Sequence, residues 1–240
     1  IEDQDQPDYI EKYMNRTGQA RWQTFGYVSD GLFKDEADIA TSPDQSALGE
    51  VRPGDIRYKD LNNDGVIDSK DVKAIGYTDV PEIVYGFGVS AQWKGFDVSV
   101  FFQGNDHVSF SINSSMVRGF TEPKMAANNV FSDIYGNYWT ESNTDAKYPR
   151  LTTTEATNNN QSSDFWLVNG RYLRLKNAEF GYTFPKKLIQ KIRLSQLRIF
   201  VSGTNLLTLA PFKLWDPDLQ TGASNYPNTR VANIGLNIGF

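Results

Sequence analysis

The chain has 240 residues, of which 24 are Lys or Arg and 29 are Asp or Glu, giving a formal net charge of −5. This length suits one large or two small domains, and an acidic balance without a basic stripe gives no reason to expect nucleic acid as a partner. The lack of cysteine excludes disulfides and thiolate metal sites. Apolar runs are only a few residues long, so no transmembrane helix is predicted.

The first element with a chemical pattern is an acidic loop over residues 60–71. It places Gly65 at position 6 of a twelve-residue calcium loop, where the backbone turns sharply. The expected ligands of Ca²⁺ are the side chains of Asp60, Asn62, Asp64, Asp68 and Asp71 and the main-chain carbonyl of Val66. Position 12 holds Asp71 rather than glutamate, and no helix pattern precedes Asp60. We therefore predict a structural calcium clamp on a scaffold that is not an EF-hand; the alternative is an Asn/Asp/Gly-rich turn without a metal.

Five strands follow, each indicated by alternating apolar and polar side chains. They are predicted over residues 83–93, 96–103, 171–184, 196–209 and 230–240. Their connections alternate in length, from the tight turn at Lys94 and Gly95 to a polar stretch of about sixty residues, then a short basic connection from Pro185 and a loop over residues 210–229. Outer-membrane barrels have such short periplasmic turns and long extracellular loops.

The last strand is long enough to span a bilayer and ends in an aromatic residue, Phe240. We predict an all-β fold, a transmembrane antiparallel β-barrel segment with long extracellular loops. Residues 1–82 form the extracellular loop region, which contains the calcium loop, and residues 83–240 form the barrel strands and their loops. Five strands cannot close a barrel, so the rest must come from a longer parent chain or a second polypeptide.

Several motifs together resemble the SusC/RagA-like TonB-linked outer-membrane proteins, which are TonB-dependent transporters. The matching segments are residues 53–68, 75–76, 85–88, 94–104, 138–141, 148–151, 169–177, 181–185, 197–206 and 216–217, with the terminal strand. They run from PGDIRYKDLNNDGVID through KGFDVSVFFQG and NGRYLRLKN to LRIFVSGTNL. No single segment is specific, but their combination and order are.

The resemblance implies a 22-stranded barrel with a plug in its lumen, in the outer membrane of a Gram-negative, Bacteroidetes-type bacterium. Such proteins import glycans, or in some members peptides, with energy from TonB and with a SusD-like surface lipoprotein as partner. The chain matches only the C-terminal part of the family. The plug and the segment that contacts TonB would therefore belong to the missing N-terminal part. Phe240 matches the family's barrel-assembly signal.

Aromatic residues in the outward loops are candidates for contact with substrate or partner, because aromatic rings stack on sugars and occupy protein interfaces. These candidates are Tyr138, Trp139, Trp166, Trp215 and Tyr226. The alternative, that each packs a loop or belongs to an aromatic girdle, is favoured for any single residue.

No enzyme activity is predicted, because His107 is the only histidine and no carboxylate pair is placed for acid–base catalysis. Two alternatives to a transporter stay open: a secreted, calcium-stabilised β-sandwich that binds carbohydrate, and a fragment of a secreted glycosidase.

Overall fold

The computed structural model describes residues 11–118, 130–221 and 225–240, and it divides into two compact units. The loop unit comprises Ile1–Val80 and Ser109–Asn169, and the sheet unit comprises Pro81–Val108 and Gly170–Phe240. The division near residue 80 lies close to the boundary expected at residue 82. Residues 109–169, which the sequence grouped with the strands, cluster with the loop unit instead. The first ten residues of the expected loop region lie outside the described residues.

Strands dominate the regular structure of the described residues. In chain order they are β1 (Phe25–Gly26), β2 (Ser29–Leu32), β3 (Ile56–Tyr58), β4 (Lys73–Ala74), β5 (Ile83–Trp93), β6 (Phe96–Asp106), β7 (Ser109–Ser111), β8 (Leu167–Asn169), β9 (Tyr172–Thr183), β10 (Gln196–Leu209) and β11 (Val231–Gly239). The described helices are short: α1 (Glu36–Thr41), α2 (Ser115–Arg118) and α3 (Lys186–Ile189). Within the described segments, no helix has the length and hydrophobicity needed to cross a membrane.

The sheet unit contains one antiparallel sheet with the strand order β11-β10-β9-β6-β5. These five strands are the five predicted from alternation, and their ends differ from the prediction by no more than a few residues. Lys94 and Gly95 adopt positive φ angles of 48° and 91°, as a two-residue hairpin turn requires. The prediction of an all-β fold is confirmed for the described residues.

The register brings the apolar side chains of all five strands onto one face, called here the apolar face. Pairs aligned across neighbouring strands are Phe87–Phe102, Val98–Phe180, Val201–Phe180 and Val201–Ile234. Many of these side chains are open to the surroundings; Ile234 is 85% exposed and Phe87 is 52% exposed. An exposed apolar surface of this extent is unusual on a water-soluble monomer.

The opposite face of the sheet is polar and has an ion-paired arginine near one end. Arg198 on β10 donates through Nη2 to Oδ2 of Asp97 at 2.5 Å and to Oε1 of Glu179 at 2.6 Å. The arginine reaches Asp97, two strands away, by crossing Gly181 on β9. A Cβ atom at Gly181 would lie 2.5 Å from Nη2 of Arg198, so a larger residue there would require the arginine side chain to shift.

Both short connections, the turn at residues 94–95 and the segment over residues 184–195, lie at one end of the sheet. The chain leaves the sheet at the other end for residues 107–171 and 210–230, and it enters β5 from that end. The sheet unit therefore has the alternation of short and long connections that was predicted.

The described residues of the loop unit form three two-stranded sheets, which pair β1 with β4, β2 with β3 and β7 with β8. Among those residues, seven large side chains are no more than 1% exposed: Phe33, Ile56, Tyr58, Ile67, Phe110, Ile134 and Trp166. The loop unit thus encloses a hydrophobic core although it contains little regular structure.

Candidate calcium loop and contact surfaces

The first half of the acidic loop has the backbone conformation of a tight, carboxylate-capped turn. Gly65 adopts a φ of 84° and Asn63 a φ of 61°, both in the left-handed region. The carboxylate of Asp60 accepts hydrogen bonds from the main-chain nitrogens of Asn63 at 2.6 Å and Gly65 at 2.8 Å. Gly65 therefore occupies the sharp turn at position 6, where the sequence placed it.

The second half of the loop is anchored to the interior of the loop unit. Asp71 is fully buried, and its carboxylate accepts hydrogen bonds from the main-chain nitrogens of Leu61 at 2.7 Å and Asp68 at 2.9 Å. Ile67 is also fully buried, and its nitrogen donates to the carbonyl of Asp44 at 2.8 Å. These contacts fix the two ends of the loop relative to each other.

The side chains of Asp60, Asp64 and Asp68 are wholly or partly exposed, unlike that of Asp71. Hydrogen bonds from the Asn62 side chain and from the main-chain nitrogen of Val66 hold the pKa of Asp64 below its usual value. The ammonium of Lys70 lies 3.7 Å from Asp64 and 4.0 Å from Asp68. Among the described residues, no three or more His, Asp or Glu side chains gather closely enough to hold a metal ion. Gly65 has the positive φ expected at position 6 of a calcium loop, whereas the carboxylates as placed contact main-chain nitrogens and Lys70.

Side-chain amides pair with β3 immediately before the loop, a feature that the sequence analysis missed. The main-chain nitrogen of Ile56 donates to Oδ1 of Asn159 at 2.8 Å, and its carbonyl accepts from Nδ2 of Asn158 at 2.8 Å. The nitrogen of Tyr58 donates to Oε1 of Gln45 at 2.7 Å. Because buried main-chain groups need partners, these amides act as a substitute strand beside β3. Three consecutive asparagines at residues 158–160 were the only signal in the sequence.

A buried ion pair stands next to these amides. Asp55 is fully buried, and its Oδ1 lies 2.8 Å from Nε of Arg150 and accepts a hydrogen bond from Nδ2 of Asn159 at 2.8 Å. The two charges belong to the segments 53–58 and 148–151, both of which were quoted for the family resemblance. The contact gives those motif residues a structural role within the loop unit.

Three of the five candidate aromatic residues belong to the loop unit. Trp166 is 1% exposed and donates from its indole nitrogen to the carbonyl of Asn159 at 2.7 Å. Trp139 is half-buried against Gly54, where a Cβ atom would come within 2.5 Å of the indole. Tyr138 is half-buried and forms a bridge with Tyr148. Trp166 thus packs the interior, while Trp139 and Tyr138 are partly accessible.

The other two candidates belong to the sheet unit, in the connection between β10 and β11. Tyr226 is 83% exposed. Trp215 is half-buried, meets Phe212 edge-on with ring centroids 4.7 Å apart, and donates to the carbonyl of Gln220 at 2.7 Å. Phe240 is 95% exposed at the end of the chain. Tyr138, Trp139 and Trp166 thus belong to the loop unit, and Trp215 and Tyr226 belong to the sheet unit.

The same connection is tied to β9 by a buried arginine. Arg174, whose side chain is 2% exposed, contacts Asp216 at 2.5 Å and Asp218 at 2.6 Å. Its Nε also donates to the hydroxyl of Thr208 at 3.0 Å. Because Nη1, Nη2 and Nε of the guanidinium each have an oxygen partner, these contacts fix the position of the connection relative to β9. Asp216 and Pro217 entered the sequence analysis only as motif residues, because nothing local pointed to Arg174.

Comparison with known proteins gives consistent results from sequence and structure. No protein-family model matches the chain. TonB-dependent receptor P3 of Formosa agariphila is 29% identical over 244 residues, which cover 94% of this chain and 23% of that protein. The TonB-dependent receptor SusC of Bacteroides thetaiotaomicron is 27% identical over 192 residues, which cover 79% of this chain and 18% of SusC.

Solved structures show the same fold. The RagAB peptide importer in its open-open state superposes with a TM-score of 0.65 at 21% identity, over 97% of this chain and 24% of that chain. Another structure of the RagAB peptide transporter gives a TM-score of 0.66 at 20% identity, over 95% of this chain. The chain spans about a quarter of the length of curated relatives that it matches. The resemblance is therefore confirmed: the curated homologues of this chain are TonB-dependent receptors, SusC among them, and its structural neighbours are RagAB transporters.

Proposed function

We propose that this chain supplies the C-terminal strands and outward loops of a TonB-dependent transporter, which imports oligosaccharides or peptides across the outer membrane. The observation that carries the proposal is the exposed apolar face shared by β5, β6, β9, β10 and β11. Side chains such as Ile234 and Val89, which are 85% and 65% exposed, would be unfavourable in water but favourable in hydrocarbon. The polar face, with Arg198 and its partners, would then face the lumen.

The open edges of the sheet support a larger barrel. β5 and β11 are each paired on one side only, and unpaired main-chain groups in lipid cost several kcal/mol each. Further strands would complete the wall of the 22-stranded barrel that the resemblance implies, and the plug would lie in its lumen. Sequence relatives named as receptors, rather than as enzymes, agree with transport.

The proposed partners are TonB and a SusD-like surface lipoprotein, and the proposed location is the outer membrane of a Bacteroidetes-type bacterium. The RagAB structures are named for peptide import, which keeps peptides beside oligosaccharides as candidate cargo. A secreted β-sandwich is disfavoured, because it would need a second apolar layer over the sheet. The described residues of the sheet unit form a single sheet.

A pair of adjacent substitutions in the full-length parent protein tests the membrane assignment. Ile234 lies on the apolar face and Asn233 on the opposite face, and both side chains are exposed. We expect Ile234→Arg to destabilise the barrel by about 2–4 kcal/mol if it lies near the midplane, and Asn233→Arg to be tolerated. The measurement is the amount of heat-modifiable protein in the outer-membrane fraction. Equal tolerance of both arginines would contradict the proposal.

Cargo is tested in a strain from which the parent gene is deleted. Uptake of labelled oligosaccharides and of labelled peptides is compared with and without the restored gene. Transport of one class that depends on both the gene and TonB would support the proposal. Uptake of both classes that is independent of the gene would contradict it.

We also propose that Ca²⁺ clamps the acidic loop. The ligands would be the Asp60, Asn62, Asp64, Asp68 and Asp71 side chains and the Val66 carbonyl, with a bound cation replacing Lys70 near Asp64 and Asp68. The proposal is supported by the left-handed Gly65 and by the buried Asp71 and Ile67, which hold the loop closed. It requires the exposed carboxylates to turn away from the main-chain nitrogens that they now contact.

Calorimetric titration of the full-length protein with CaCl₂ tests the clamp. We expect a heat of binding that is lost in Asp60→Ala and Asp64→Ala, and kept in Asp145→Ala, which removes an exposed acid elsewhere in the loop unit. Ca²⁺ should also protect residues 60–71 from proteolysis. The absence of a binding heat in the unmodified protein would retire the calcium proposal without affecting the transporter proposal.

A further inference from the structure

The short connection between β9 and β10 is a basic, amphipathic turn that the proposed function does not use. Helix α3 continues through a 3-10 turn at Gln190–Ile192. Leu188 and Ile192 are 58% and 61% exposed. Ile189 is 3% exposed and anchors the segment. The turn thus presents two aliphatic side chains outward from a fixed support.

Four cations surround these aliphatic side chains, and no acidic residue lies between Pro185 and Ser195. All four are exposed, and within the described residues none of them forms an ion pair: Lys186, Lys187, Lys191 and Arg193. Four neighbouring cations without ion-pair partners repel one another, so their charges do not stabilise the turn itself. The combination of exposed aliphatic groups with surrounding cations is typical of segments that lie on anionic lipid surfaces.

The turn continues the apolar face of the sheet at its short-connection end. The ring of Phe184 meets that of Tyr182 edge-on at 5.0 Å, and Tyr182 meets Phe96 at 4.6 Å. Trp93 is 68% exposed at the same end, with the ammonium of Lys94 4.8 Å from its ring centroid. Aromatic rings concentrate where hydrocarbon meets headgroups, and lysines extend from there toward the phosphates.

We propose that residues 185–193 form an interfacial anchor, in which Leu188 and Ile192 enter the headgroup region and the four cations bind anionic phospholipid. The proposal rests on the proposed function, because it needs the apolar face to lie in hydrocarbon. The occupant is a phospholipid surface, which is chosen because the apolar face and the basic turn are continuous. The turn would fix the depth of the barrel on the side of its short connections.

The test places single fluorophores on the full-length protein reconstituted in vesicles. Because this chain has no cysteine, Leu188→Cys, Gln190→Cys and Ile234→Cys can each carry a nitrobenzoxadiazole label, once any cysteine elsewhere in the parent has been replaced. The vesicles contain phosphatidylcholine with or without phosphatidylglycerol, and brominated acyl chains act as quenchers. Heat-modifiability confirms that each variant is folded.

We expect quenching at Leu188 and Ile234, and weaker quenching at Gln190, which is a polar residue of the same turn. Phosphatidylglycerol should shift the Leu188 emission to shorter wavelength, and Lys187→Gln with Lys191→Gln, or added salt, should abolish that shift. Quenching at Ile234 without quenching at Leu188 would overturn the anchor and leave the transporter proposal standing. If the Leu188 emission changes neither with phosphatidylglycerol nor with the two lysine substitutions, the proposed binding of the cations to anionic phospholipid is overturned. The absence of quenching at Ile234 would instead overturn the membrane assignment itself.

Discussion

The loop unit buries many of its large apolar side chains, whereas the sheet unit presents most of its own to the surroundings. Ile56 and Ile67 are fully buried in the loop unit, while Ile234 and Trp93 of the sheet unit are 85% and 68% exposed. The loop unit satisfies its polar groups with side chains, as Asn158 and Asn159 do for β3. The sheet satisfies them with neighbouring strands and leaves two edges open. Within the described residues, the loop unit thus has an interior of its own, whereas the sheet unit leaves much of its apolar surface uncovered.

The largest effect should follow from separating the sheet from its parent barrel. We expect residues 1–240 alone to fail to form a stable monomeric barrel in detergent, because the free edges of β5 and β11 leave main-chain groups unpaired. Size-exclusion chromatography and a heat-modifiability gel measure this. A monodisperse, heat-modifiable monomer would contradict this difference between the two units, since the sheet would then need no neighbouring strands.

A smaller effect should distinguish buried from exposed charge pairs within the loop unit. Asp55→Ala leaves Arg150 and Asn159 without their buried partner and should destabilise this unit by about 3–5 kcal/mol. Its matched control is Glu50→Ala, which breaks the exposed pair with Arg52 and should change stability by about 0–1 kcal/mol. Hydrogen exchange of loop-unit amides in the full-length protein measures both. Equal effects would mean that Asp55 is not held in a closed interior.

The smallest effect should be a pH dependence at the surface of the loop unit. Hydrogen bonds from Lys147 and Tyr148 lower the pKa of Asp133 from its usual value of 3.8. Since the folded pKa is the lower one, the stabilisation is present above the usual pKa and is lost as pH falls through the folded value. Asp133 and Lys147 are exposed, so we expect less than about 1 kcal/mol.

Asp133→Asn should remove that dependence, while Asp145→Asn, at an exposed acid of the same unit, should leave it unchanged. Proteolysis of the loop unit at about pH 7 and at pH values near and below the usual aspartate pKa measures the difference. A pH profile that Asp133→Asn leaves unchanged would assign the dependence to other groups.

The sequence predicted the five strands because their signal is local. Period-two alternation and the Lys94–Gly95 turn can be recognised within about ten residues, so β5 and β10 were placed at their observed ends. The twelve-residue loop was equally local, and its Gly65 lies in the expected conformation. The short strands β1–β4, β7 and β8 are too brief to show a period, and they were not predicted.

The amino-acid sequence by itself determined which residues alternate, where the chain turns, and which face of each strand is apolar. Only the tertiary structure decided which distant residues meet. Asn159 pairs with Ile56, Arg198 crosses Gly181 to Asp97, and Trp166 fills a core rather than a contact surface. The physical reason is that periodicity is set by backbone geometry within one strand, whereas partners and burial depend on how segments 101 and 103 residues apart in the chain pack together.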